Sequence, residues 1–360
     1  MKTHVRRHSH GMALIMAMIA IFVLSALAAG FALSMKVETR LAQNADSEQQ
    51  LLWLGRSGVE LARYVLSQQL TIPNEPYDAL NQVWAGGPGG IDASNSVLSG
   101  LSLDHYPVGD SGTVSIKIID LERKANINTA NEAAIQQALT LMGVDASDIS
   151  VVSDSILDWI GPAGPPRTAG AESDYYQGLP VPYYAKNAPI DDLSELLLVK
   201  GVTQEMYWGS NSTNHVPSVF QHKLGLGTAP GQAPDYPFGL VNLFTPISSG
   251  RININTADTN VLQMIPGVDA ATAAAIVKQR AGPDGVEGTD DDTPYRNVSQ
   301  LSSIGLSPQY VSQLGNLCTV RSLAFEVHVT AQIGDYQREY VAILYRNSGT
   351  DVQVLSFYWK

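Results

Sequence analysis

A single cysteine, Cys318, stands among 360 residues, so no disulfide can form within the chain. A domain working outside the reducing cytosol must then rest on packing or on a metal. Charged residues are scarce at 16%, and the balance among them is acidic: 22 Lys and Arg against 34 Asp and Glu, a formal charge of −12. Three of the cations, Lys2, Arg6 and Arg7, sit at the extreme N-terminus, and without them the charge falls to about −15. Binding to nucleic acid rests on Lys and Arg neutralising phosphates, so no nucleic-acid partner is expected. No HExxH, P-loop, GxSxG or cysteine-rich metal pattern occurs, and His105, His215, His222 and His328 are isolated in sequence, as structural or exposed imidazoles are. The chain reads as non-enzymatic.

Charge is also missing from Met12 to Met35, a strongly apolar stretch. At 1.5 Å per residue it spans about 36 Å as a helix, enough to cross a hydrocarbon core of roughly 30 Å. The cations before it, Lys2, Arg6 and Arg7, predict a cytoplasmic N-terminus. The small residues Ala26 to Gly30 offer a cleavage site for an ordinary secretory signal. Against that, Leu41, Ala45, Leu52, Gly55, Val59, Ala62 and Leu66 continue a stripe at spacings of three, four or seven. One helix is therefore expected from about 13 to 69, apolar all round first and amphipathic later.

What remains is globular in composition, with 44% hydrophobic residues, 31 Gly and 19 Pro, and its length suggests roughly two domains. Residues 72 to 112 form a loop-heavy connector with one short strand expected near Val97 to Leu103. Val114, Ile116 and Ile118 alternate with polar residues as in a half-buried strand. Phe325, Val327, Val329, Ala331 and Ile333 do the same, Gly334-Asp335 turns the chain, and Tyr336 to Tyr345 returns, with a last strand from Val352 to Trp359. The roughly 200 residues between look helical and loop-like.

Within them Asn126-Ile127-Asn128-Thr129-Ala130 recurs as Asn253-Ile254-Asn255-Thr256-Ala257. Each run precedes a helix, with Thr129 and Thr256 the expected N-caps and Asn131 and Asp258 near the positive end of the dipole. Gly143-Val144 and Gly267-Val268 follow at matching points, so two helix-turn-helix hairpins are expected. The second is similar to the helix-hairpin-helix of DNA-uptake receptors, a rival reading whose nearby cations are only Lys278 and Arg280. From Gly282 to Asp292, Asp284, Glu287, Asp290 and Asp292 lie among glycines, oxygen donors on a bendable loop. Calcium is the metal they suit, and a solvated acidic turn is the alternative.

The basic leader ending in Gly11, followed by an apolar segment that runs into an amphipathic helix, resembles the signal of type IV pilins and type II secretion pseudopilins. The resemblance implies a prepilin peptidase that cuts after Gly11 and methylates Met12, and an apolar segment that is kept as anchor and filament stalk. The family pattern has glutamate as the fifth residue of the mature chain, where this sequence has Met16. That glutamate pairs with the free amine of the subunit ahead, so its absence is similar to the K-type minor pseudopilins, which have no subunit ahead. Leu157-Asp158-Trp159-Ile160, Ala171-Glu172-Ser173-Asp174-Tyr175-Tyr176 and Leu193-Ser194-Glu195-Leu196 resemble that family's local motifs.

The K-type resemblance implies an α+β fold in which a pilin-like N-terminal helix packs on a small antiparallel sheet and a large, mostly α-helical domain is inserted between strands. The expected divisions are a leader at 1–11, a membrane part at 12–35, a first pilin-like part at 36–124, an inserted helical domain at 125–322 and C-terminal strands at 323–360. It implies a minor pseudopilin that caps the type II secretion pseudopilus and helps start its assembly, for export of folded proteins across the outer membrane. Implied partners are I- and J-type minor pseudopilins, the major pseudopilin below and the prepilin peptidase. The implied location is the inner membrane of a Gram-negative bacterium, single-pass, with the C-terminal domain in the periplasm. K-type relatives bind calcium in the helical domain, and the corresponding loop at 161–174 here keeps only Glu172 and Asp174 as acids.

Overall fold

One helix, α1, runs without interruption from His10 to Gln69. The computed structural model describes residues 10–90, 96–110, 112–209 and 236–360. Along α1 the apolar residues before Met35 are exposed all round, whereas Leu51, Leu54, Val59, Ala62, Val65 and Leu66 are buried. The change follows the sequence: charged and polar residues enter after Lys36 and confine the apolar side chains to one face.

That face lies on a five-stranded, wholly antiparallel sheet in which each strand pairs with the next in chain order except for one long excursion after the second strand. Its strands are β1 (Tyr106–Val108), β2 (Gly112–Asp120), β7 (Ala324–Ile333), β8 (Tyr336–Arg346) and β9 (Val352–Trp359). Alternation puts Val114, Ile116 and Ile118 of β2 and Phe325, Val327, Val329 and Ala331 of β7 into one core with the α1 stripe. Two glycines set how close the helix comes. A Cβ at Gly55 would stand 2.4 Å from the Tyr340 ring and one at Gly58 2.4 Å from Val329. Each costs about 1 kcal/mol in helix propensity relative to alanine, which close packing of helix on sheet offsets. The strand expected near Val97 to Leu103 is absent. Bonds from Ser99 N–H to Ser96 O and from Leu101 N–H to Leu98 O curl that stretch into turns, and Gly100 takes φ +72°.

Strands β2 and β7 are neighbours, in register from Gly112↔Ile333 to Asp120↔Phe325, so the chain between leaves the sheet at one edge of the core and returns beside its point of departure. That stretch is built twice on one plan. In the first unit β3 (Ala125–Asn126) leads to α2 (Glu132–Met142), α3 (Ala146–Ile160) and α4 (Ser173–Gln177). A 3-10 turn at Leu193–Leu198, α5 (Gln204–Trp208), α6 (Leu240–Leu243) and β4 (Phe244–Thr245) complete it, and β4 lies parallel to β3. The second unit runs β5 (Ile252–Asn253), α7 (Thr259–Leu262), α8 (Ala270–Arg280), a 3-10 turn at Val298–Ile304, α9 (Pro308–Leu314) and β6 (Cys318–Thr319), again with its two strands parallel.

The repeated asparagines explain the repeated shape. Asn128 donates from Nδ2 to Ile190 O (2.9 Å) and accepts from Ile190 N–H at Oδ1 (2.7 Å). Asn255 does the same to Tyr295, at 2.9 and 2.8 Å. Each asparagine thus holds both peptide groups of the segment that enters the following 3-10 turn. Gly143 and Gly267 take φ near +83° at the hairpin bend, and Gly201 (+83°) and Gly305 (+94°) are left-handed after the 3-10 turns.

The helix caps differ from expectation. Asn131 accepts from Ala134 N–H, and Asp258 accepts from Asn260 and Val261 N–H, so these residues are the N-caps in place of Thr129 and Thr256. The Asn-Ile-Asn-Thr run first makes a tight turn, and Thr256 is committed elsewhere, its hydroxyl donating to buried Asp120. A single apolar cluster from Ile127 to Cys318 serves both units, separate from the one beneath α1.

Candidate functional site

The first site is the exposed segment of α1. The large apolar side chains from Met12 to Met35 are 48–74% exposed, a surface that only lipid or other apolar helices can cover. Among the described residues this is the one helix long and apolar enough to cross a membrane. Met16 is 70% exposed, and the first acid along the helix is Glu38. Residues 1–9 of the expected leader lie outside the described residues, as do His215 and His222; the Gly11–Met12 bond falls in the first turn of α1.

The acidic residues sit in two separate loops. In the turns after α8, Asp284 accepts from Val286 N–H (2.7 Å), Asp292 from Gly288 N–H (2.8 Å), and Asp291 from Asp284 N–H (3.0 Å). Glu287 forms an ion pair with Arg280, while Asp290 lines a cavity of about 680 Å³ beside Gly86 to Gly90. Burial pushes the Asp292 carboxyl above its usual range, and the Thr289 hydroxyl holds that of Asp291 below it. Asp284, Asp291 and Asp292 thus each have one oxygen engaged by the loop's own N–H groups. Glu172 and Asp174 flank the start of α4, in the other loop. Among the described residues no group of three or more His, Cys, Asp or Glu side chains is placed to hold one metal ion. Calcium needs six to eight oxygens converging on a point, and this donor arrangement does not fit it.

The hairpin that offered the DNA reading keeps one of its two expected cations, Lys278, exposed. Arg280 is only 3% exposed and donates to the carbonyls of Ile254 and Ala257 as well as pairing with Glu287, so one of the two expected cations is an internal tie. Asp269 caps α8 by accepting from Thr272 N–H (2.8 Å), a contact that holds its carboxyl low. A carboxylate thus already sits where the helix N-terminus would take an anion. The Tyr310 hydroxyl donates to Pro266 O and covers the bend at Gly267.

A buried polar junction, invisible as a motif, ties the repeated units to the sheet. Asp120 at the end of β2 accepts from Ser322 Oγ (2.7 Å), Asn253 Nδ2 (3.1 Å) and Thr256 Oγ1. Glu122, wholly buried, accepts from Ser249 N–H and Ala324 N–H, each at 3.0 Å, so one side chain holds the departing and returning segments together. Burial, reinforced by the Asp120 charge, pushes Glu122 up to about 8. Arg346 at the end of β8 donates to Asp78, to Ser322 O (2.7 Å) and to Leu66 O (3.1 Å), and its guanidinium lies 4.8 Å from the Phe325 ring centroid. In sequence these positions show only as a charge closing each of the runs Val114 to Asp120 and Tyr340 to Arg346.

The two described downstream histidines lie in different surroundings, and the Ser115 hydroxyl beside His105 accepts from its backbone N–H (3.0 Å) and donates to Asp104 (2.7 Å). His105 is exposed beside Asp104, and His328, isolated in sequence, is in space bracketed by Glu326 (2.6 Å) and Glu339 (2.8 Å). Its hydrogen bond to Glu326 holds the imidazole above its usual range. Cys318 is buried, which pushes its thiol up to about 12 and leaves it inert at neutral pH.

Comparison with known proteins follows the two units. Residues 115–209 match the family described as type II secretion system protein K, and residues 248–317 match a helix-hairpin-helix motif. A type II secretion system protein K from Pseudomonas aeruginosa is 24% identical over 366 residues, covering 98% of this chain and 93% of that protein. One from Aeromonas hydrophila is 25% identical over 208 residues, covering 56% of this chain and 61% of its own length. Among solved structures, a chain of the GspK-GspI-GspJ complex from the enterotoxigenic Escherichia coli type 2 secretion system superposes with a TM-score of 0.60 at 19% identity, over 89% of this chain and 99% of that one. The shared fold is the α+β, pilin-like one, a long helix on an antiparallel sheet.

Proposed function

The chain belongs to the type II secretion system protein K family, and from that premise we propose that it is the minor pseudopilin at the tip of the pseudopilus, helping to start assembly of the filament that drives folded proteins across the outer membrane. The observation that carries this reading is α1: a membrane-length segment, exposed on every side and without a carboxylate, continuous with the helix that supports the head. In a filament of such helices, a subunit's buried charge needs a partner on the subunit ahead. Met16 needs none, while the amine of Met12 remains free to receive a glutamate from below. The chain can be followed and cannot be preceded. The repeated units between β2 and β7 add bulk that a narrow shaft would not admit beneath another subunit.

On this reading residues 12–35 sit in the inner membrane, the head from residue 36 on lies in the periplasm, and 125–322 form an inserted helical domain. The smaller partners are I- and J-type minor pseudopilins, with the major pseudopilin below. The role is structural rather than catalytic. DNA uptake, which the helix-hairpin-helix match favours, is opposed by the burial of Arg280 and by Asp269 at the helix N-terminus. The test is the mature N-terminus. Mass spectrometry of membrane-extracted protein is expected to find N-methylated Met12, and a start near Ala29 or Gly30 would replace the pseudopilin reading with an ordinary secretory signal.

A further inference from the structure

The loop between α3 and α4 holds its shape by an unusual set of bonds. It carries Gly161, Pro162, Gly164, Pro165, Pro166 and Gly170, a composition with little intrinsic order. Asp154 and Asp158, one turn apart on α3, reach across to it: Asp154 accepts from Ala169 N–H and Asp158 from Arg167 N–H, each at 3.0 Å. Gly170 is pressed so close that a Cβ there would stand 1.9 Å from an Asp158 oxygen. Two cations close the arrangement. Arg167 Nε lies 3.5 Å from Asp158 Oδ1, and its Nη1 is 3.8 Å from Glu132. Lys200 donates from Nζ to the carbonyls of Ala169 (3.2 Å) and Gly170 (3.1 Å), with its charge 5.1 Å from the Tyr175 ring centroid.

Carboxylates and loop carbonyls gathered around positive charge are what a bound divalent cation would organise. Here the charge comes from side chains, one in the loop and one from the end of the 3-10 turn at Leu193–Leu198. We propose that Arg167 and Lys200 act as a built-in cationic staple for residues 161–171, so that this loop is ordered without a metal ion. The staple also joins α3 to the 3-10 turn through Lys200, which spans 30 residues from its Gly170 partner. It rests on the geometry of the loop and stands whether or not the chain occupies the filament tip.

The test is hydrogen–deuterium exchange on the detergent-solubilised full chain, read peptide by peptide in millimolar calcium and in chelator. Exchange in 161–171 is expected to be the same in both. Lys200→Met is expected to speed it by about tenfold or more in that loop, with no rescue by calcium, since hydrogen bonds to a charged donor are lost at a partly buried site. Gly170→Ala, which would push Asp158 aside, is expected to act on the same peptides. Should Lys200→Met fail to fold, Arg167→Gln carries the same local expectation. Calcium that slows exchange of the unaltered loop, or Lys200→Met and Arg167→Gln that leave it unchanged, would overturn the staple.

Discussion

Replacing Arg346 by methionine probes the buried junction with little change in volume. Arg346 is 1% exposed and Asp78 0%, so the substitution leaves a carboxylate sealed from water without its cation. It also strips a donor from Leu66 O and from Ser322 O, and it removes the charge stacked on Phe325. Unpaired buried carbonyls cost about 1–3 kcal/mol each and a cation–π contact about 0.5–2. These losses do not add, because the groups share one hydrogen-bonded network and rearrange together once the cation is gone. Breaking a buried pair by removing one member costs about 3–5 kcal/mol in all. At about 2–4 °C per kcal/mol, that lowers the melting temperature by about 6–20 °C. Calorimetry of the detergent-solubilised chain reads this directly. Asp78→Asn added to Arg346→Met is expected to recover part of the loss, with a coupling of about 1–3 kcal/mol between the two sites. A loss below about 1 kcal/mol, or strictly additive effects, would refute the claim that the pair is sealed and mutually dependent.

Asn128→Ala and Asn255→Ala each remove a two-way clamp, and each is expected to cost about 2–4 kcal/mol, seen as a lowered melting temperature with both units affected because they share one core. A negligible effect at either position would break the equivalence of the two units. Glu122 makes stability fall with pH: its folded pKa, about 8, lies above that of an unfolded glutamate, so the folded chain holds the extra proton. The contribution is complete below about pH 4.5 and is lost as pH rises to 8, at up to about 1.4 kcal/mol per pH unit. Urea titrations across that window are expected to show the decline in the unaltered chain and a flatter profile in Glu122→Gln; equal profiles would contradict it.

The long helix and the sheet were legible because each has one dominant period. The apolar stripe through Val59, Ala62 and Leu66 and the alternations in β2 and β7 decide those elements locally: the strands end within a residue or two of expectation, and the helix ends at residue 69 as expected. The repeated asparagines marked the two units but not their purpose, since Ile190 and Tyr295 lie 62 and 40 residues away from the side chains that hold them. The caps slipped by two residues for the same reason: Thr256 looks like a cap in sequence and is drawn off by Asp120, 136 residues earlier. Polar residues carry their meaning through distant partners, which is why Arg280, in sequence only a cation near the second hairpin, is an internal tie in the fold. The connector's turns around Gly100 were misread as a strand because Val97, Leu98, Leu101 and Leu103 carry the right side chains on a backbone that glycine lets bend.

The most direct measurement of the chain's place in the filament is site-specific crosslinking in the membrane. A photoreactive residue at Trp53, 57% exposed on the outer face of α1 where Leu51 and Leu54 are buried against the sheet, faces whatever helix packs alongside. Assembled pseudopili are expected to give crosslinks from this position to the smaller minor pseudopilins, one copy each, with Met16→Glu weakening them because it places an unpaired charge among apolar helices. A ladder of this chain crosslinked to itself would put it in the shaft and contradict the tip assignment.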